Sequence, residues 1–393
     1  MNISRSLYQS DRGGAAYVPL DVGWGMQGEY ATPAVQECVL FGMAHLTAKE
    51  VERFLEKSSM FHPSEKAIKN MVSKSGDFIE AHIDELNEGI RGEETIPEAT
   101  AVVVASMDGV NVLLRETGQK SGRPKERPGE KQEEVSASSY KNAMVGSISF
   151  YGYSQQRGRP PLCGKKEATE KEEVKPVRLC SHYIARMPES YFPAFKQQFE
   201  AELDDIEKAV DATVKRVLLN DGHRVIWNYI DNNERFDDYE KLVDFYHASE
   251  HLSKAAEAIF GKKSKAGDEW YHKWYDNLQT EDHAAKAVLR SMNYYAKILK
   301  IPKTRLEDLK REQTFFRRNH HRMNYADFIR QGLPIGSGPV EAACKSVVKN
   351  RMCRSGMRWS RKGGQQILNL RAYAKADRWE KFWNNYKQLK QAA

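Results

Sequence analysis

The chain contains no apolar run long enough to cross a bilayer, so its pattern excludes a membrane-spanning helix. Its opening residues, "MNISRSLYQSDRGG", lack the apolar stretch of a secretory signal. Cysteine is scarce, with five in 393 residues (38, 163, 180, 344 and 353) and neither a C-x-x-C pair nor a regular spacing. No disulfide framework is expected, and a soluble protein of a reducing cytoplasm fits best. There is no internal repeat, and "GSG" at Gly336 to Gly338 is too short for a nucleotide-binding loop. Acid is missing where it is most conspicuous: Lys345 to Lys362 holds seven basic residues and no aspartate or glutamate.

What is present bounds the rest. A chain of 45.0 kDa with 40% hydrophobic residues has material for two or three domains. The formal charge of +7 is moderate, but its clustering in Lys345–Lys362 and in "FFRRNHHRMNY" (Phe315 to Tyr325) suits a nucleic-acid backbone; a charge run alone is also an ordinary solvated face.

Residues 33–90 carry helical periodicity. Thr47 and Ser64 are placed as N-caps, and Glu50 completes a capping box with Thr47. The two helices joined by "SMFHP" form either a helix-turn-helix presenting Ser64, Glu65, Lys66 and Lys69 to a DNA groove or a plain helical hairpin. The period then changes. "TAVVVASMDGVNVLLRE" reads as two strands with a tight turn at Asp108-Gly109, and "NAMVGSISFYGY" and "RLCSHYIARM" as further strands. The polar stretches 117–139 and 154–177 read as mobile loops. An amphipathic helix, the strand "VKRVLLNDG", the helix "HRVIWNYIDNN" and a strand at "KLVDF" follow, and everything beyond is helical by pattern.

Three strands, a helix, a strand, a helix and a strand is the order of an RNase H-like fold, in the α+β or α/β class. There the first strand and the strand after the first helix lie side by side, so acids on them can meet. Asp108 and Asp221 occupy those two places, each followed by glycine. Singly, each is a turn residue; together they are a candidate pair. Glu341 is either a helix-cap acid, with Gly338 as N-cap and Pro339 first in the helix, or a third carboxylate ligand. Three carboxylates suit Mg²⁺, with Mn²⁺ as an alternative, and two such ions serve in-line displacement at phosphorus without a nucleophilic side chain. Lys345, Lys349, Arg351, Arg354, Arg358, Arg361 and Lys362 are expected to hold DNA beside those acids, with Trp359 stacking on an exposed base. "HASEH" (His247 to His251) departs from the H-E-x-x-H zinc motif.

The segments "SMDG", "LLNDGHRVIWN", "VDFYHASEHL", "LPIGSGPVEAACKSVVKNRMCRSGMRWSRKGGQQILNLRA" and "RWEKFW" resemble bacterial insertion-sequence transposases of the Kra group, relatives of the Mutator-like DDE enzymes, over residues 17–385. The resemblance implies catalytic and metal-binding roles for Asp108, Asp221 and Glu341, and an all-helical insertion before the glutamate. Asp244-x-x-His247 resembles a (C/D)-x-x-H signature of related superfamilies; both residues are expected near the site because their strand should neighbour that of Asp221, with a hydrogen bond between them orienting the imidazole. The implied domains are 1–97, helical and DNA-binding; 98–250, the first part of the catalytic core; 251–332, the insertion; and 333–393, completing the core. The implied function is transposition: metal-dependent cleavage of element ends and strand transfer, on terminal-repeat and target DNA duplexes, by a homodimer or larger assembly associated with the nucleoid. Family members often carry zinc-ribbon-like cysteines before "PLD"; this chain has none there, which implies a copy shortened at its N-terminus. A nuclease of the same fold without strand transfer, and an inactive DNA-binding derivative, are the alternatives.

Overall fold

The computed structural model describes residues 6–9, 18–23, 26, 29–58, 63–115, 140–155 and 174–392. Of the stretches read above as mobile loops, 117–139 and the 156–173 part of 154–177 lie outside the described residues, as does most of the cysteine-free segment before Val18, while 154–155 and 174–177 are not loop but the paired ends of two long strands.

The chain begins with α1 (Pro19–Gly23), α2 (Pro33–His45), α3 (Ala48–Lys57), α4 (Glu65–Ala81) and α5 (Ile83–Gly92). Thr47 accepts the Glu50 N–H at 3.3 Å while the Glu50 carboxylate accepts the Thr47 N–H at 2.7 Å, a reciprocal cap that contributes about 1 kcal/mol to α3. Ser64 caps α4 through the Ala67 N–H. The first turn of α4 is exposed at Ser64, Lys66 and Lys69, and Lys69 pairs with Glu65 at 2.5 Å; residues 59–62, which join α3 to α4, lie outside the described residues.

A five-stranded mixed sheet follows, built from β1 (Val102–Leu113), β2 (Tyr140–Gln155), β3 (Val174–Arg186), β4 (Lys215–Asn220) and β5 (Glu240–Val243) in the order β3-β2-β1-β4-β5. Helix α6 (Pro193–Ala209) connects β3 to β4, and α7 (Arg224–Asp231) connects β4 to β5. β1 runs antiparallel to β2 and parallel to β4. Asp108-Gly109 is not the turn its sequence signals. β1 passes straight through it, because Asp108 and Gly109 pair with Val145 and Met144 of the long β2. Twelve residues of cross-strand pairing override one local turn signal.

The rest is helical: α8 (Phe245–Phe260), α9 (Lys265–Thr280), α10 (Ala284–Ile298), α11 (Lys303–Asn319), α12 (Tyr325–Arg330) and α13 (Gly338–Ala343), a π-helical segment (Cys344–Lys349), α14 (Asn350–Met352), α15 (Arg361–Lys375) and α16 (Trp379–Ala392). α6 buries Phe195, Phe199, Leu203 and Ile206 at helical spacing against one face of the sheet, in a core that continues into α8 through α12. Val110 and Val112 of β1, with Val145 and Ala185, form a second core with Val340, Val347 and Val348. Side chains alternate along a strand, so Asp108 shares the face of Val110 and Val112, the one covered by α13 and the π-helical segment. Helices α2 to α5 have no core to themselves: Leu40, Ile68 and Leu86 pack with Leu370, Phe382 and Trp383 of α15 and α16. No helix among the described residues is long and apolar enough to cross a membrane.

Candidate active site

Asp221 directly follows β4, and Asp108 lies within β1. Val102 to Ala105 pair with Lys215 to Leu218; the same offset sets Met107 against Asn220 and Asp108 against Asp221. The ladder parts there. The fully buried Asn220 side chain bridges the gap, its Oδ1 accepting the Met107 N–H at 2.6 Å. The two carboxylates thus stand at the mouth of a fork between neighbouring parallel strands. Asn220 has a single signal in the sequence, a polar residue closing the apolar run "VLLN", and is not among the expected site residues.

The segment between Leu333 and Ser337 returns across this fork. Phe245 donates its N–H to Ile335 O at 2.9 Å, and a Cβ on Gly336 would lie 2.8 Å from the Tyr246 ring, so a larger residue there would have to push that exposed ring aside. Helix α13 starts one residue earlier than expected, with Ser337 as N-cap and Gly338 inside the helix. Ser337 Oγ donates to Glu341 Oε1 at 3.3 Å. Asp108, Asp221, His247, Glu341, Lys345 and Lys349 line one cavity of about 910 Å³. The π-helical turn leaves both lysines on its wall, and π-turns of this kind recur at functional sites.

Asp244 does not orient the His247 imidazole. It is buried at the N-terminus of α8, where Oδ1 accepts the His247 backbone N–H at 2.6 Å and Oδ2 accepts the Ser337 N–H. One carboxylate therefore fastens the start of α8 to the turn that carries Glu341, while only His247 reaches the cavity. The Cys344 thiol donates to Asp108 Oδ2 at 3.3 Å, and Asp108 Oδ1 accepts the Gly109 N–H at 2.6 Å. Burial, then the Asp108 charge, pushes the Cys344 thiol well up, which keeps it a donor.

Burial also raises the Asp221 carboxyl above the ordinary aspartate value. The His223 N–H, at 2.9 Å from Oδ1, opposes that shift, and the neighbouring Asp108 charge adds to it. Among the described residues no lysine or arginine forms an ion pair with Asp108 or Asp221. Two half-buried carboxylates without a cation, facing a cavity with a third carboxylate on its wall, form a donor set that fits an oxygen-seeking divalent ion. Their oxygens are not drawn together: among the described residues the one trio of possible ligands with donor atoms within 4.8 Å of one another is Glu94, His182 and Glu202. That trio surrounds the Arg378 guanidinium, whose Nε donates to Glu94 at 2.8 Å and whose NH2 donates to Glu202. A resident cation already fills it.

The basic tract divides in three. Lys345, Lys349 and Arg358 are exposed and pair with no carboxylate among the described residues. Arg354, Arg361 and Lys362 are exposed but engage the protein: Arg354 lies 3.7 Å from Glu50, Arg361 donates to Pro188 O, and Lys362 donates to Asp77 at 2.8 Å. Arg351 departs from expectation altogether. It is 3% exposed, its guanidinium lies 5.0 Å from the Trp359 ring centroid, and burial, then Arg354, lowers its pKa to about 10. Trp359 is half-buried, its indole N–H donating to Met352 O at 3.0 Å. Its backbone bonds to Leu113 and Arg115, which stitches the loop to the end of β1. A further arginine outside the tract, Arg371, is buried and donates to Ala44 O, Ser346 O and Val347 O, tying the π-helical segment to α2 and α15.

No family model and no curated protein matches this chain. Among solved structures, it is similar to a chain of the Drosophila P element transposase strand transfer complex, at 11% identity and a TM-score of 0.28 over 93% of this chain and 82% of that one, a likeness too slight to carry an argument.

Proposed function

We propose that the chain is a DDE-type transposase, which cleaves DNA at the ends of an element and joins the freed 3′ hydroxyl to target DNA. The observation that carries this reading is the meeting of Asp108, Asp221 and Glu341 on one cavity, from adjacent parallel strands and a helix that crosses them. The order β3-β2-β1-β4-β5, with the first three strands antiparallel and the last two parallel to β1, is that of an RNase H-like sheet and supports the same reading.

The three carboxylates would hold Mg²⁺ or Mn²⁺, which when bound as a pair supplies activation of the attacking oxygen and charge stabilisation on the leaving one. The chain's own residues do the remainder. Lys345 and Lys349 offset the phosphate charge that carboxylates alone would repel. Cys344 holds Asp108 in one orientation, and Asp244 holds the turn preceding Glu341. Helices α2 to α5 form one body with α15 and α16, so DNA held by these helices would be fixed rigidly against the Glu341 segment.

The test uses a labelled duplex carrying an element end. Wild type with Mg²⁺ should release a 3′ hydroxyl end and join it to a second duplex. Asp108→Asn, Asp221→Asn and Glu341→Gln should do neither while binding the duplex as before. Cleavage without joining would replace the reading with a nuclease, and cleavage that survives all three substitutions would end it.

A further inference from the structure

Helices α7 and α11 face each other across a cleft of about 530 Å³ that the carboxylate site does not use. Helical spacing explains its lining: Arg224, Trp227 and Asp231 recur along one face of α7, and Phe315 and Arg318 along one face of α11, with Arg322 beneath them. Arg322 is 6% exposed, binds both Asp231 oxygens at 2.6 and 2.5 Å, and lies 4.0 Å from the Trp227 ring centroid. Its Nε has no hydrogen-bond partner. Because Arg322 compensates Asp231, the charge left over at the cleft is that of Arg224 and Arg318, both exposed and without a carboxylate partner among the described residues.

The cleft adjoins the carboxylate cavity. Gly222 lines it, one residue beyond Asp221, and a Cβ at Gly222 would fall 2.2 Å from the Phe315 ring. Phe315 in turn stacks on His251 with ring centroids 3.6 Å apart, and His251 lies beside His247 of the cavity wall. A chain leaving the acids over Gly222 thus enters a basic cleft with flat groups on its walls. Its volume is that of a small-ligand pocket, about 300–1,000 Å³, far too small for a duplex but sufficient for a nucleotide. Arginine pairs with phosphate, and a phenyl ring or a stacked guanidinium accepts a base face, which only an unpaired strand offers.

We infer that the cleft between α7 and α11 binds a single-stranded nucleic-acid segment, with Arg224 and Arg318 on its phosphates and an unstacked base against Phe315. This rests on the proposed action at DNA ends and names where the unpaired strand goes. The test is fluorescence anisotropy without added metal, using a blunt duplex, the same duplex with a single-stranded overhang, and that overhang made abasic. Wild type should bind the normal overhang about tenfold more tightly than the blunt or abasic forms, a difference of about 1.4 kcal/mol. The double variant Arg224→Ala/Arg318→Ala, altered only at exposed helix positions, should lose that preference and bind blunt duplex unchanged. Its salt slope on the overhang should fall by about 1.4, at roughly 0.7 per single-strand phosphate released. Equal loss on blunt and overhang DNA, no loss, equal binding of the abasic overhang, or no preference in wild type would each overturn the inference. Failure of the transposase reading would appear separately, as absent metal-dependent cleavage, which this assay does not read.

Discussion

Two acidic clusters in this molecule look alike by composition and differ in what stands between the acids. Glu94, His182 and Glu202 gather tightly around Arg378, with Arg91 3.7 Å from Glu202. Asp108, Asp221 and Glu341 open onto a cavity, and no lysine or arginine pairs with the first two among the described residues. Burial opposes ionisation in both, yet the outcomes are opposite: Arg378 and His182 hold the buried Glu202 carboxyl far below the carboxylate range, while Asp221 is raised. Close spacing therefore does not mark a metal site. The tight trio is a structural knot joining α5, β3, α6 and the start of α16, and the loose trio has the unmet charge that a ligand cation would satisfy.

The largest separation should come from breaking each cluster at its centre. Asp108→Asn should lower DNA cleavage by at least about 10³-fold, roughly 4 kcal/mol of barrier, with the thermal midpoint unchanged or higher. Arg378→Met should do the reverse: a loss of about 3–5 kcal/mol, read from the urea midpoint, because the buried Glu202 would be left facing the half-buried Glu94. Adding Glu202→Gln to that variant should recover part of the loss. A cost below about 1 kcal/mol for Arg378→Met would mean that water reaches the knot.

The same contrast explains what could be read from the sequence. The fork of Asp108 and Asp221 was legible because apolar runs define β1 and β4 locally and strand order then sets them side by side. The continuity of β1 was not, since Asp-Gly is a local turn signal and the pairing that overrides it comes from residues 140–151. Arg351 and Trp359 have no acid or apolar run beside them in sequence, so they read as surface; they are covered by elements far along the chain, with Glu50 near Arg351 and Leu113 bonded to Trp359. The Arg378 knot draws on residues 94, 182, 202 and 378, a separation that no local sequence pattern bridges. The α7–α11 cleft was half visible, in the basic run around Arg318, but its other wall lies on α7.

Added metal should sharpen the comparison at smaller scale. If the open trio takes a divalent ion, Mn²⁺ at 100 times its dissociation constant should stabilise wild type by about 2.7 kcal/mol through mass action. Asp108→Asn should lose most of that gain, while Glu202→Gln, already less stable, should keep it. Thermal melts of the three proteins with and without Mn²⁺ measure this directly. A metal-induced shift that survives Asp108→Asn and disappears with Glu202→Gln would reverse the assignment of the two clusters.

The smallest expected effect is one of sign with pH. The Asp221 pKa in the fold lies above its unfolded value, so ionising it disfavours the folded state. That penalty is fully present above the folded pKa and disappears as pH falls below the unfolded value. Asp221→Asn should therefore raise the metal-free thermal midpoint near neutrality, by roughly 2 °C for each kcal/mol relieved, and make no difference in acid. Glu202 behaves oppositely. Its folded pKa is depressed, so its stabilisation is complete above the ordinary glutamate value of 4.5 and drains away as pH falls toward the folded pKa. Glu202→Gln should cost stability at neutral pH and progressively less in acid, which flattens the acid limb of the midpoint curve. Melts of wild type and both variants across that range should show the two difference curves with opposite signs at neutral pH, both shrinking in acid. Curves of the same sign would mean that Asp221 is compensated in solution, and the open trio would lose the unmet charge on which its metal affinity depends.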